Sequence, residues 1–163
     1  MLAFEMTGGD VKTLMNRLLK EDVFDKFEVR GVEVCGITKF SATGVLDKSA
    51  LPEDEAKKAA ETGRSYCLWG ELRPYVYAWV KGGKTPKSMK IVFSLGDEAV
   101  QKAHENAAAM FLNLNFEEGA ARFTTAIAQK TFALDKTIDQ VWDQKIVNFF
   151  RKYFPSVHPV STH

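Results

Sequence analysis

The spacing of apolar and polar residues changes period several times along the chain, and each change predicts a new element. Leu2 to Thr7 is short, apolar-rich and closed by Gly8-Gly9, as expected of an opening strand. Asp10 then suits the N-cap of a helix. Val11, Leu14, Met15, Leu18 and Leu19 follow at helical spacing, with Phe24 and Phe27 extending the same apolar side. Val29, Val32, Val34 and Ile37 read as one or two strands ending near Leu46. Gly31 and Gly36 leave their register open, because each marks either a bulge or a turn.

Residues 52–61 form a polar helix with proline in its first turn, acids at its positive end and Gly63 available to close it. Only alanines can face a core, so this helix is expected on the surface. Leu68, Leu72, Val76, Trp79 and Val80 return to helical spacing. Pro74 disfavours a helical Arg73 and so argues for a late start, and Gly82-Gly83 marks the end. Met89, Ile91, Phe93 and Leu95 alternate with Lys90, Val92 and Ser94, which is a strand with one apolar face. Asp97 opens a thin helix.

Met110 to Phe116 and Ala121 to Ile127 alternate on either side of Glu117-Glu118-Gly119 and predict a hairpin, with residues 129–134 continuing extended. Thr137 and Gln140 fit a capping box. Ile138, Val141, Trp142, Ile146, Phe149, Phe150 and Tyr153 then make one broad apolar stripe, and Pro155 stops it.

This order predicts an α+β fold, a mainly antiparallel curved sheet with helices packed on one side. Residues 1–154 are expected to form a single α+β domain, with 155–163 a loose tail. The order of elements also repeats, and Leu46-Asp47-Lys48-Ser49 matches Leu134-Asp135-Lys136-Thr137. One reading is a duplicated βαββα unit, its halves joined edge to edge about a pseudo-twofold as in sliding-clamp and TATA-binding-protein-like folds. The other is chance recurrence in a chain that alternates helix and strand.

Charge and chemistry narrow the picture mainly by exclusion. Lys+Arg number 22 and Asp+Glu 21 in 163 residues, a formal charge of +1. Attraction to nucleic acid must therefore come from a local patch. Two cysteines, Cys35 and Cys67, are too few for a disulfide framework and lie too far apart for a zinc site, so free thiols and a cytoplasmic setting are expected. No apolar run approaches the ~20 residues of a membrane span, and the first residues lack a signal-peptide layout.

No metal or cofactor motif is recognisable. His104 has no second ligand at metal spacing, and His158 and His163 lie in the tail. Gly82-Gly83-Lys84-Thr85 resembles the end of a phosphate loop, but a helix precedes it and Pro86 follows. Glu117 and Glu118 read as a hairpin tip rather than a catalytic pair. The one local charge cluster is basic. Lys81, Lys84, Lys87 and Lys90, with Arg73 upstream, surround a glycine-rich loop that lacks acids, a candidate anion-binding surface.

Three stretches carry a resemblance. They are Arg73-Pro74 through Lys84-Thr85-Pro86 to Lys90-Ile91-Val92-Phe93, Phe132 to Thr137 leading to Trp142-Asp143, and Asp22 to Phe27. Together they are similar to a family of short Firmicute proteins of unknown function, over nearly the whole chain to about Tyr153. The resemblance implies no activity and no catalytic residue. The leading functional expectation is a cytosolic, non-enzymatic binding or assembly module, with a protein partner or an anionic ligand. The alternatives are binding of nucleic acid or a phosphorylated ligand through the lysine-rich loop 81–90, and an enzyme whose site is assembled from dispersed residues.

Overall fold

The alternation at Met89, Ile91 and Phe93 does mark the middle of a sheet. In the computed structural model, which describes residues 1–80 and 86–161, seven strands form one open antiparallel sheet. The elements in chain order are β1 (Leu2–Met6), α1 (Gly9–Leu19), β2 (Glu28–Cys35), β3 (Lys39–Thr43), α2 (Glu53–Thr62) and α3 (Trp69–Val80). Then come β4 (Ser88–Ser94), α4 (Asp97–Ala103), β5 (Ala107–Glu117), β6 (Ala120–Gln129), α5 (Thr137–Tyr153) and β7 (Pro159–Ser161). The order across the sheet is β3-β2-β4-β5-β6-β1-β7.

Pairing puts Val32 opposite Ile91, Ile91 opposite Leu114, Leu114 opposite Phe123 and Phe123 opposite Phe4, a continuous apolar row across five strands. The helices cover this face. Leu14 and Leu18 of α1, Trp69 and Val76 of α3, and Ile138, Trp142, Ile146 and Phe150 of α5 join it in one buried cluster. Phe24 sits at its centre, within 6.0 Å, centroid to centroid, of Phe93, Phe123, Phe149 and Phe154. The opposite face is polar, with Glu33, Lys90, Asn115, Arg122 and Glu5 aligned across it. Helix α2 lies on the surface as expected, with Ala59 its one buried residue.

Five local expectations are corrected. Helix α3 starts at Trp69, five residues before Pro74. Its first amides are held from outside, Trp69 N–H by the Phe27 carbonyl (2.9 Å) and Gly70 N–H by Asp25 (3.2 Å). The buried Trp69 Nε1 also donates to the Leu18 carbonyl at 2.8 Å. Tertiary anchoring of that kind overrides the local bias against helix before proline.

Asp10 lies inside α1, whose N-cap is Gly8 at φ 56°, a left-handed conformation that suits glycine. No Thr137–Gln140 box forms; Asp135 Oδ1 instead accepts the Thr137 N–H at 3.1 Å. Strand β6 ends at Gln129, and Phe132 and Leu134 beyond it are 86% and 84% exposed. The segment after Pro155 is not featureless either: Val157 is buried and β7 pairs with β1.

The repeat exists in element order and not in pairing. Strand β4 lies beside β5, whereas β1 and β2 lie on opposite sides of the β4-β5-β6 meander, so the halves interleave instead of meeting edge to edge. The two Leu-Asp-Lys matches share a turn. Asp47 Oδ1 accepts the Ser49 N–H at 3.0 Å, as Asp135 does for Thr137, and each turn introduces a helical segment. Common turn chemistry is enough to account for that match.

Candidate functional site

Strand β2 breaks register once, and the break builds a site. Val29 pairs with Phe93 and Gly31 with Val92, so Arg30 is an extra residue with no partner on β4. A bulge of this kind re-aims its side chain. Arg30 turns toward the end of β4, where its Nε donates to Ser94 Oγ at 3.1 Å.

The stretch 63–68 closes over it. Gly44 N–H donates to the Arg30 carbonyl (3.0 Å), Cys67 N–H to Gly44 (2.7 Å) and Val29 N–H to Cys67 (2.8 Å). Gly44 is required there by space, since a Cβ would stand 1.5 Å from the Val29 carbonyl oxygen. This lacing delivers Tyr66 over the Arg30 guanidinium at 4.0 Å, with the Phe111 ring at 5.3 Å. Arg30 is thus held by aromatic rings and one hydroxyl, and its terminal nitrogens have no hydrogen-bond partner among the described residues.

Beside it lies Glu28, 7% exposed, whose carboxylate accepts no hydrogen bond from any described residue. The carboxylate is pressed against Gly96, where a Cβ would meet Glu28 Oε2 at 2.6 Å. Burial pushes its pKa up and the charge of Asp97 pushes it further, with Arg30 and Arg64 pulling the other way. These groups line a cavity of about 560 Å³ that also borders Lys26, Asp97, Glu98 and Lys102.

Arg64 is already committed. Its Nη1 and Nη2 donate to Glu71 at 2.5 and 3.2 Å, and Glu71 Oε1 also accepts the Leu68 N–H at 2.7 Å. Burial raises the Glu71 pKa, but these bonds outweigh it and hold the carboxyl below its ordinary value. Lys102 pairs with Glu98 at 3.3 Å. Arg30 and Lys26 are the lining cations without an ion pair among the described residues, and Arg30 is the one whose side chain is held in a fixed orientation.

Of the basic cluster singled out in the sequence, the described members Arg73, Lys87 and Lys90 do not lie together. Arg73 Nε and Nη2 donate to Asp25 Oδ1 and Oδ2, each at 2.9 Å, tying α3 to the loop before β2. Lys87 and Lys90 flank the other end of β4, where Ser88 pairs with Cys35, and Lys90 is exposed on the polar face. Lys81 and Lys84 lie outside the described residues.

His104 Nδ1 accepts the Asn106 N–H at 3.0 Å. Cys35 and Cys67 are free and half-buried, and burial pushes the Cys67 thiol up, away from a reactive thiolate. Glu118 (φ 52°) and Gly119 (φ 77°) form a tight hairpin tip in the left-handed region, with Glu117 and Glu118 exposed. Among the described residues, no group of His, Cys, Asp or Glu comes together to hold a metal, and no helix is long and apolar enough to cross a membrane.

Residue reading missed Glu28, Arg30 and Tyr66 because two separated stretches, the start of β2 and residues 63–68, bring them together. Gly31 was the one local signal, marking a bulge or turn without saying which neighbour it would redirect.

The class of molecule defined so far is an open antiparallel sheet, covered by helices on one face, with a polar cavity at a bulged strand end. Residues 17–155 match a family of unknown function, DUF5721, and the chain belongs to that family. The matched span contains every residue of the cavity. No curated protein and no solved structure matches the chain.

Proposed function

We propose that this protein is a binding module that takes a small oxyanion in the cavity at Arg30. The observation that carries the reading is the state of that arginine, stacked, oriented by Ser94 and without a carboxylate partner. A guanidinium presents a planar fork of donors that matches two oxygens of a carboxylate or phosphate. Ordering such a fork normally costs side-chain entropy at the moment of binding; here the rings impose that order in advance.

Glu28 beside it, largely buried and without a hydrogen-bond partner among the described residues, supports the same reading, because unpartnered carboxyls with raised pKa values concentrate at functional sites. A reducing cytosolic setting fits the two free cysteines.

The test is an NMR titration of labelled protein with sodium acetate and with inorganic phosphate. Wild type is expected to show saturable shifts at Arg30, Ser94 and Tyr66. Arg30→Gln should weaken binding about 10- to 100-fold, the worth of a charge-assisted bond. Arg30→Lys, which keeps the charge and loses the fork, should also bind more weakly than wild type. Equal affinity in wild type and Arg30→Gln would overturn the reading.

A further inference from the structure

We propose that the ligand of this cavity is a monocarboxylate, and that Glu28 takes it together with one proton, acid and carboxylate sharing that proton beside Arg30. The inference rests on the Arg30 reading and adds to it the ligand's charge and the role of Glu28.

Charged groups face Glu28 from each element around it. From β2 comes Arg30 and from the stretch 63–68 comes Arg64, whose guanidinium is held by Glu71 of α3. From α4 come Asp97 and the Glu98–Lys102 pair, and from the loop before β2 comes Lys26. Two cations without an ion pair among the described residues, Arg30 and Lys26, stand against two such carboxylates, Glu28 and Asp97. With Glu28 ionised this set is neutral before any ligand enters. With Glu28 protonated it carries one positive charge, which one monoanion neutralises.

An arriving anion therefore meets repulsion from ionised Glu28 and none from protonated Glu28. It also meets a donor in the second case, since an un-ionised carboxyl carries an O–H and Glu28 has no acceptor of its own among the described residues. The order of events is simple. The proton comes from solvent onto Glu28. The Arg30 nitrogens donate to the ligand's oxygens, and the Glu28 O–H donates to one of them. No bond of the ligand is made or broken.

The same ledger sets the ligand's charge. Two carboxyl groups sharing a site accommodate one proton between them and one residual negative charge. That charge is what Arg30 neutralises. A phosphate dianion would bring a second charge and overshoot the one positive charge that this set carries with Glu28 protonated. Monocarboxylates should accordingly bind better than phosphate.

Proton linkage makes this measurable. Burial already raises the Glu28 pKa in the empty cavity, and a neighbouring anion raises it again. Across the interval between those two titration points one proton is taken up per ligand. Affinity there should fall about tenfold per pH unit as pH rises.

The experiment follows the Glu28 side-chain carboxyl carbon by NMR between pH 4 and 8, with and without acetate, and measures acetate and phosphate affinities across the same range. The wild-type carboxyl readout does not depend on any variant folding. The expected result is an upward move of the Glu28 midpoint on adding acetate, with acetate affinity falling as pH rises. Phosphate should bind at least about tenfold more weakly than acetate at pH 8, where its dianion predominates. Glu28→Gln should bind acetate more tightly than wild type at pH 8, with a flat pH profile. An unmoved Glu28 midpoint with acetate bound, or phosphate binding tighter than acetate, overturns the inference and leaves the Arg30 reading standing. Failure of both anions to perturb Arg30 at any pH removes the Arg30 reading itself.

Discussion

Trp142 ties helix α5 into the core and to Phe111, whose ring faces Arg30, and its replacement offers a quantitative test of how the fold is held. The side chain is 1% exposed, and its Nε1 donates to the Phe111 carbonyl at 2.8 Å. A buried aromatic side chain removes about 150–250 Å² from water, which at about 25 cal/mol per Å² amounts to ~4–6 kcal/mol. Measured Trp→Ala losses of ~3–5 kcal/mol agree with that range. Trp142→Ala should therefore cost ~3–5 kcal/mol. Trp142→Phe retains most of the apolar surface but loses the bond to Phe111, and should cost about 1–2 kcal/mol. At about 2–4 °C per kcal/mol for a chain of this length, the two variants should separate clearly in calorimetry. Urea unfolding supplies the free energies, with an unchanged slope showing that the denatured state is unaffected. A Trp142→Ala loss under ~1 kcal/mol, or a cooperative native-like melt after truncation at Lys136, would refute the reasoning. The stripe on α5 would then serve something other than this core.

Glu28 should make stability depend on pH. Its folded pKa lies above the ordinary carboxyl value, so the folded protein binds more protons than the unfolded chain and loses stability as pH rises above that ordinary value. Glu28→Gln should be more stable than wild type at pH 8, with the difference vanishing toward pH 4; thermal melts across that range decide it. Gly44→Ala forces a Cβ onto the Val29 carbonyl and should cost at least the upper end of the ~1–3 kcal/mol typical of overpacking, seen as reduced urea resistance. Gly96→Ala tests placement alone. Its backbone (φ −65°, ψ 155°) accepts alanine, so the methyl should displace the Glu28 carboxylate and abolish the pH dependence of acetate binding while Tm shifts little.

Strands and the long helix were legible because their patterns are dictated by burial that every residue feels. Met89, Ile91 and Phe93 alternate because one face of β4 meets helices, and the α5 stripe is apolar because it lies across the sheet. What local pattern could not reveal were choices made by distant partners. Pro74 sits inside a helix because Phe27 and Asp25 hold that helix's first amides, and residues 159–161 become a strand because β1 offers an edge. The site belongs to the second kind. Arg73 looked like part of a basic surface until Asp25, 48 residues away in sequence, claimed it. Arg30 had no visible role until the bulge turned it under Tyr66, a residue of a different stretch.

Three arginines near this end of the sheet show why one of them can serve a ligand. Arg64 is held by Glu71 and Arg73 by Asp25, each through two donors to one carboxylate. Their forks are satisfied inside the fold, and a ligand would have to displace a well-oriented carboxylate to use either. Arg30 is ordered differently, by two ring faces and a single hydroxyl bond at Nε. Stacking immobilises the plane without consuming the outer nitrogens, so order and availability coexist in one side chain. Replacing Tyr66 therefore separates the two properties. Tyr66→Ala leaves the charge and the donors of Arg30 in place and removes the face that fixes their direction. Acetate affinity should fall by about two- to fivefold, the worth of a partly exposed cation–π contact, with the shift pattern at Arg30 broadened. Unchanged affinity in Tyr66→Ala would mean that the fork needs no such support. The free state of Arg30 would then reflect charge alone, and the geometric case for carboxylate recognition would lose its basis.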